Sequence, residues 1–468
     1  MPSFLSLPGE IIHRVFFYAE QSRKQLRLSS TLLAKAGRSW VFQSTTLSRT
    51  KSSCERFQNI LDRPDLARAV KKVYLDTTDP QDGNNSVTTS EGDEYLEADE
   101  ADEDEDSALP PRFWKAVNRL DQLPRLQSVV IRFHHECEGD DDWGNAEQSS
   151  QFRAAVLRKT LSVLASLPRP LHELGIQDLQ NIMPDDEAFR ANLNKVLGAI
   201  KSLRLNIANQ LNEGNGENNV EYDAVHKFFN NDLASFWLKP AMANVEHLTI
   251  YSSMYWGFFP KCDLRDVHFP RLKTLSLGNF AFIDDSQLQW ILSHGETLEE
   301  LYLDDCPILH EVAVDNAHRE RGTLLDNTSF QAHPGFEHES EPSTTQYHYC
   351  KLHASYSARW ADYFRAFAEK LPRLRHIRVG SHPEWWCDET TPFEKETGIK
   401  IGFKESYMVY CDGYGPSQYM ASMIHDDTFD GCDDRKGEEI RASEEDKAAL
   451  RELMEKLGQS TDSMDRHR

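Results

Sequence analysis

The sequence predicts an α/β chain: a small N-terminal helical domain, then an irregular horseshoe of parallel strands and helices, then an irregular cap. Three observations carry that expectation. A short apolar phrase recurs eight times. Helical periodicity fills most of the intervals between phrases. Three short apolar helical segments crowd into the first fifty residues, ahead of the first phrase.

The opening reads LSLPGEIIHRVFFYAE. Pro8 stands near the start of a helix, where its missing N–H costs nothing. Ile11, Ile12, Val15 and Phe16 then form an apolar stripe at helical spacing. Leu26, Leu28, Leu32 and Leu33 form a second apolar group, and Ala36, Trp40, Val41 and Phe42 a third. Some forty residues bury little surface by themselves. A partner, or the remainder of the chain, is needed to cover them.

The recurring phrase has the form L-x-x-L-x-L. Its central apolar positions are 73, 129, 174, 203, 248, 275, 301 and 377, separated by 56, 45, 29, 45, 27, 26 and 76 residues. The last two apolar positions of each phrase alternate, as a strand with a buried face requires. Three separations of 26–29 fall at the upper edge of the leucine-rich-repeat period, and the longer ones hold insertions or skipped units. Helices are expected at 112–123, 152–167, 186–200, 223–238, 286–294 and 357–371, with Asp284 and Asp285 starting the fifth. Units running in one helix–strand order imply parallel strands with right-handed crossovers. A regular repeat places Asn or Cys three residues after the last leucine to bond the turn. Here Thr78, His134, Leu179, Ala208, Ser253, Phe280, Cys306 and His382 stand there, and only Cys306 fits.

The domain boundaries expected are 1–48 for the helical head, 49–382 for the repeats and 383–468 for the cap and tail. Within the repeats, residues 79–107 stand apart. Between Glu91 and Asp106, eleven of sixteen residues are acidic, so self-repulsion and the lack of apolar surface predict a disordered loop. Irregular excursions are expected at 208–221, 308–350 and 383–440. The tail helix at 443–457 is announced by a capping box, Ser443 with Asp446, and by Gly458 at its end.

The chain has 468 residues and a formal net charge of −24. Such a balance disfavours nucleic-acid or anionic-membrane partners, and no run approaches the roughly 18 apolar residues of a membrane span. The eight cysteines are scattered with no CxxC pair, which reads as reduced thiols in the cytoplasm or nucleus. No phosphate-binding glycine loop or nucleophile elbow occurs. His134-His135-Glu136-Cys137 and His348, Cys350 and His353 lack the spacing of a structural zinc site. The expectation is a non-enzymatic chain with no cofactor and no metal.

The first fifty residues resemble the F-box motif, and the whole chain looks like filamentous-fungal F-box proteins with degenerate leucine-rich repeats. A Leu-Pro-x-Glu start leads a helix, a leucine-rich segment follows, and a last helix ends in an aromatic before a short strand. Leu7, Pro8, Glu10, Ile11, Val15, Leu26, Leu28, Leu32, Trp40, Phe42 and Leu47 occupy matching positions, while Ser22-Arg23 stands where the family usually has a leucine. The resemblance implies a substrate-receptor subunit of an SCF-type (Skp1–cullin–F-box) ubiquitin ligase. Skp1, and through it a cullin, would bind at Leu7, Pro8, Glu10, Ile11, Val15, Leu26, Leu28, Leu32, Trp40 and Phe42. The alternative is a repeat scaffold that binds a protein but no Skp1. In either case, residues alternating with the buried phrase positions would point onto the concave face. Tyr and Arg are the usual anchors of interfaces, so Tyr74, Arg132, Arg204, Tyr251, Tyr302 and Arg378 are expected to contact a target protein.

Overall fold

The structure is a computed structural model. It describes residues 9–19, 22–78, 109–137, 148–209, 223–314, 319–320, 322–332, 352–382, 393–411, 414–417 and 441–461. Leu7 and Pro8, the acidic run 79–107 and most of the expected excursions lie outside the described residues. The chain divides into two compact units, Met1–His134 with Gln151–Gln177 and His135–Ser150 with Asp178–Arg468.

The first unit begins with four short helices, α1 (Gly9–Tyr18), α2 (Arg23–Leu28), α3 (Thr31–Ala36) and α4 (Arg38–Val41). Strand β1 (Ser44–Ser48), α5 (Lys51–Leu61) and α6 (Pro64–Ala67) follow, then β2 (Lys72–Asp76), α7 (Pro111–Val117), β3 (Ser128–Arg132), α8 (Ser150–Ser166) and β4 (Glu173–Gln180). These four strands lie in sequence order and run parallel. The phrase positions stand in register, Val73 beside Val129 and Val129 beside Leu174. All three are fully buried. Strand β1 adds a rung that the phrase misses, because Thr45 pairs with Val73 where the other strands carry an aliphatic residue.

The second unit continues with α9 (Glu187–Leu197), β5 (Ser202–Ala208), α10 (Asp223–Lys227), β6 (His247–Ser252), β7 (Thr274–Gly278), α11 (Asp285–Leu292) and β8 (Glu300–Asp304). After β8 come β9 (Ile308–Val314), β10 (Gln331–Ala332), β11 (Leu352–Ser355), β12 (His376–Ser381), β13 (Lys400–Ile401), β14 (Tyr407–Cys411) and β15 (Tyr414–Ser417). Strands β5, β6, β7, β8 and β12 are parallel neighbours in that order. Leu203, Leu248, Leu275, Leu301 and Ile377 form one continuous row across them, each without exposed surface. Every phrase is thus a strand, in the parallel order expected within each unit.

Helix limits follow the caps. Asp284 and Gln287 close a capping box at α11, and Asp186 accepts from the Phe189 N–H at α9. The helix expected over 223–238 changes character midway, since α10 continues as a π-helical stretch over Phe228–Leu238.

Two expectations are corrected. Cys306, three positions after its last leucine, donates to the Leu277 carbonyl at 3.4 Å as expected, but in several turns the place two positions after the last phrase residue is left-handed. Asp178, Asn279 and Asp305 occupy it with φ of 57°, 57° and 52°. Asn and Asp adopt this left-handed conformation more readily than other non-glycine residues, and the Asn279 amide donates to the Ser252 carbonyl at 2.9 Å. The stretches expected to be irregular after 308 also contain a second sheet, ordered β10-β11-β9-β14-β15. Its strands, such as ILHEVAV, lack the leucine phrase and escape a search for it.

Helix Trp360–Lys370 carries an aromatic stripe of Trp360, Phe364 and Phe367, all buried. The tail helix Glu444–Lys456 packs along it. Asp446, fully buried, accepts from the Ala361 N–H at 2.9 Å and the Ser443 N–H at 2.8 Å, so one carboxylate ties both helix starts together. Beyond the tail helix, the Gln459 side-chain amide accepts from the Ile377 N–H (2.8 Å) and donates to the Ile377 carbonyl (3.2 Å). It fills, on β12, the place of a neighbouring strand.

Candidate protein-interaction surfaces

The helical head has a very small core. Ile12, Phe16 and Leu33 are buried together, with Leu26, Ala36 and Trp40 packed partly against them. Gly37 is required there, because a Cβ would stand 2.3 Å from the Phe16 ring. Arg23 explains the departure from a leucine at that position. Its guanidinium donates to the Phe16 carbonyl (2.7 Å) and the Phe17 carbonyl (3.1 Å), closing the C-terminal end of α1, and stacks over Trp40.

The α1 stripe divides. Ile12 and Phe16 face inward, Val15 is half-buried, and Ile11 is 41% exposed. The large hydrophobics exposed among the described residues are Ile11, Phe17 (56%), Tyr18 (81%), Leu28 (83%) and Leu32, and all five lie between residues 11 and 32. Of the expected Skp1-contacting set, Glu10, Ile11, Leu28 and Leu32 are exposed, while Val15, Leu26, Trp40 and Phe42 are half-buried. Leu7 and Pro8 lie outside the described residues. Phe17 and Tyr18 were not singled out in the sequence, although both sit off the Ile12–Phe16 stripe by helical angle.

Beside the head, a cleft of about 880 Å³ opens between α2, β1 and α5. Lys24, Arg27, Arg56 and Arg63 line it against one carboxylate, Asp76. The Arg27 guanidinium lies over the Phe42 ring at 4.8 Å. The cleft is therefore a cationic place on a chain whose net charge is −24.

On the strands, the alternate positions behave differently in the two units. In the first, the half-buried Tyr74 ring is flanked by Arg132 at 4.6 Å and Lys72 at 5.1 Å. Lys72 pairs with Glu173 at 3.0 Å, and Ser128 donates to the same carboxylate at 2.6 Å.

In the second unit, the expectation of an open face is corrected. Tyr251 and Tyr302 are each only 3% exposed. The Tyr251 hydroxyl donates to Asp304 at 3.1 Å, and its ring lies where a side chain on Gly278 would otherwise sit. Arg204 and Arg378 are engaged by residues 393–401 of the same chain. Arg204 donates to the Glu396 carboxylate and to the Phe393 carbonyl (2.9 Å), and Arg378 donates to the Ile399 carbonyl (2.8 Å). The His247 ring nitrogen (2.9 Å) and Thr249 hydroxyl (3.0 Å) complete the shell around Glu396. Burial pushes the Glu396 carboxyl upward, but the His247 hydrogen bond and the Arg204 charge outweigh it and hold the group down at about 2. Burial pushes the nearby Asp304 carboxyl up to about 7 despite hydrogen bonds from the His382 N–H and Tyr251. Among the described residues, no three His, Cys, Asp or Glu side chains are grouped to hold a metal. No described helix is long and apolar enough to cross a membrane.

No family model matches the chain, and no curated protein matches it. Among solved structures, it is similar to TLR13 as seen in a TLR13–ssRNA13 complex, with 13% identity and a TM-score of 0.29. The match covers 78% of this chain and 40% of that protein's chain.

Proposed function

We propose that this chain is a non-catalytic adaptor. Its head docks on Skp1 of an SCF-type ubiquitin ligase, and its repeat strands hold a target protein. The observation that supports this reading best is the gathering of every exposed large hydrophobic among the described residues onto the head, over a core of three buried side chains. Contiguous exposed apolar surface is the usual mark of a protein-interaction site. Covering Ile11, Phe17, Tyr18, Leu28 and Leu32 is worth on the order of 5–10 kcal/mol gross, against the cost of losing rigid-body freedom. The helix-borne apolar residues suit a helix-in-groove contact. The F-box resemblance of the opening residues names Skp1 as the partner.

The test is co-purification of the tagged full chain with recombinant Skp1. The wild type is expected to retain Skp1 through gel filtration. The Ile11→Asp/Leu28→Asp double variant, changed only at exposed positions, is expected to bind at least 100-fold more weakly. A wild-type chain that recovers no Skp1 leaves the repeat scaffold without a ligase as the function.

A further inference from the structure

We propose that the face of β5, β6 and β12 opposite the leucine row is a recognition groove for an acidic peptide, and that residues 393–401 of this chain occupy it as a resident pseudo-ligand. The inference rests on reading the repeat strands as the target-binding part, and it names the chemistry of that target.

The resident stretch, FEKETGIKI, shows what the groove reads. Phe393, Glu396 and Ile399 are buried, at intervals of three, with Lys395, Thr397 and Gly398 exposed between them, and beyond them Lys400 is exposed and Ile401 buried. A single 3-10 turn at Glu396–Gly398 sets that period. Two arginines on different strands grip main-chain carbonyls on either side, Arg204 that of Phe393 and Arg378 that of Ile399. Those contacts are indifferent to side-chain identity. Selectivity comes from the Glu396 carboxylate, held by Arg204, His247 and Thr249, and from one apolar side chain three residues away on each side.

The same geometry dictates the partner. If the stretch leaves, Arg204, His247 and Thr249 are bared together as a site that a carboxylate fits. The groove therefore favours an incoming segment that brings an acid of its own. An aromatic residue, a glutamate three positions on and an aliphatic residue three further satisfy every contact that the resident makes. The resident's main-chain tie to a neighbouring strand is short, the two-residue pairing of β13 with β12 and the Gly402 N–H donating to the Val379 carbonyl at 3.1 Å. Exchange thus breaks side-chain anchors and leaves the leucine row intact.

The test uses a fluorescent peptide of residues 391–402 in trans. Its probes are the wild-type full chain and a full-chain variant weakened in cis, Phe393→Ser/Glu396→Gln/Ile399→Ser. The peptide is expected to bind the weakened variant at least 10-fold tighter than the wild type. A peptide with glutamine at position 396 should bind at least 10-fold more weakly, and adding Arg204→Gln should abolish capture. A folded variant that ignores the peptide, or takes both peptides equally, overturns the proposal. Hydrogen exchange on the wild type decides the matter if the variant does not fold. Amides of 399–402 exchanging at least 10-fold faster than those of β5 and β6 support a displaceable resident, and equal rates make the stretch part of the core and overturn it. Skp1 capture by the same preparations reports separately on the adaptor reading, so a failed peptide with intact Skp1 binding removes only this inference.

Discussion

The two units carry the same apolar phrase on their strands, yet the faces opposite that phrase have different fates. In the first unit, Tyr74 lies half-buried between Arg132 and Lys72, and the acid that pairs with Lys72, Glu173, comes from a strand of the same sheet. In the second, Arg204 meets Glu396, nearly two hundred residues away, and the equivalent tyrosines are buried. The leucine row decides register and parallel order in both. What covers the other side in the second unit is decided by chain that arrives much later, so strands alike in sequence leave Tyr74 half-buried in one place and enclose Tyr251 and Tyr302 in the other.

Removing the acid from each face breaks this comparison most directly. Glu396→Ala leaves Arg204 on a covered face without its carboxylate and is expected to cost about 3–5 kcal/mol, read as a lowered urea midpoint. A loss below about 1 kcal/mol would mean that the second face is as open as the first. Next comes Asp304, beneath the Tyr251 hydroxyl. Its folded pKa of about 7 lies above the ordinary value near 4, so the unfolded chain releases this proton first as pH rises. Its contribution to stability is intact below about pH 4 and is lost as pH rises through 7, by on the order of 4 kcal/mol. Asp304→Asn should flatten urea midpoints over that window, and an unchanged slope assigns it to other groups. Glu396 has the opposite sign. Its depressed pKa stabilises above about pH 4.5, and the gain disappears as pH falls toward 2. The smallest effect belongs to the first unit, where Glu173→Gln, on a pair in partial contact with solvent, is expected to cost about 1 kcal/mol. A cost equal to that at Glu396 would erase the contrast between the faces.

Much of the framework was legible because it is written in short-range pattern. The eight central positions, from Val73 to Ile377, could be placed on strands from alternation and on parallel ones from the repeated helix–strand order, and caps such as Asp284 and Ser443 marked helix starts within a residue or two. Strand β1 was not counted because Thr45 breaks the phrase. The sheet built on β9 and β14 was missed because its pairing residues share no leucine motif. Cys306 was legible as a turn residue, but the left-handed backbone at Asp178 and Asn279 is a property of φ that spacing does not reveal. On the head, Ile11 and Leu28 were legible as candidates for a partner. The outward direction of Phe17 and Tyr18 depends on which α1 face meets Leu33, a tertiary choice. The covering of Arg204 and Arg378 was illegible for the same reason, because nothing local to FEKETGIKI says where that stretch will lie.

The side-chain amide of Gln459 has a temporal consequence. A ribosome delivers β12 about eighty residues before it delivers the glutamine that occupies the N–H and carbonyl of Ile377. At ~5–20 residues per second, that strand waits several seconds in the growing polypeptide with a rung unsealed. Nascent chains lacking residues 457–468 should then pair with one another along β12, as unguarded strand margins do, and sediment as oligomers where chains that carry Gln459 do not.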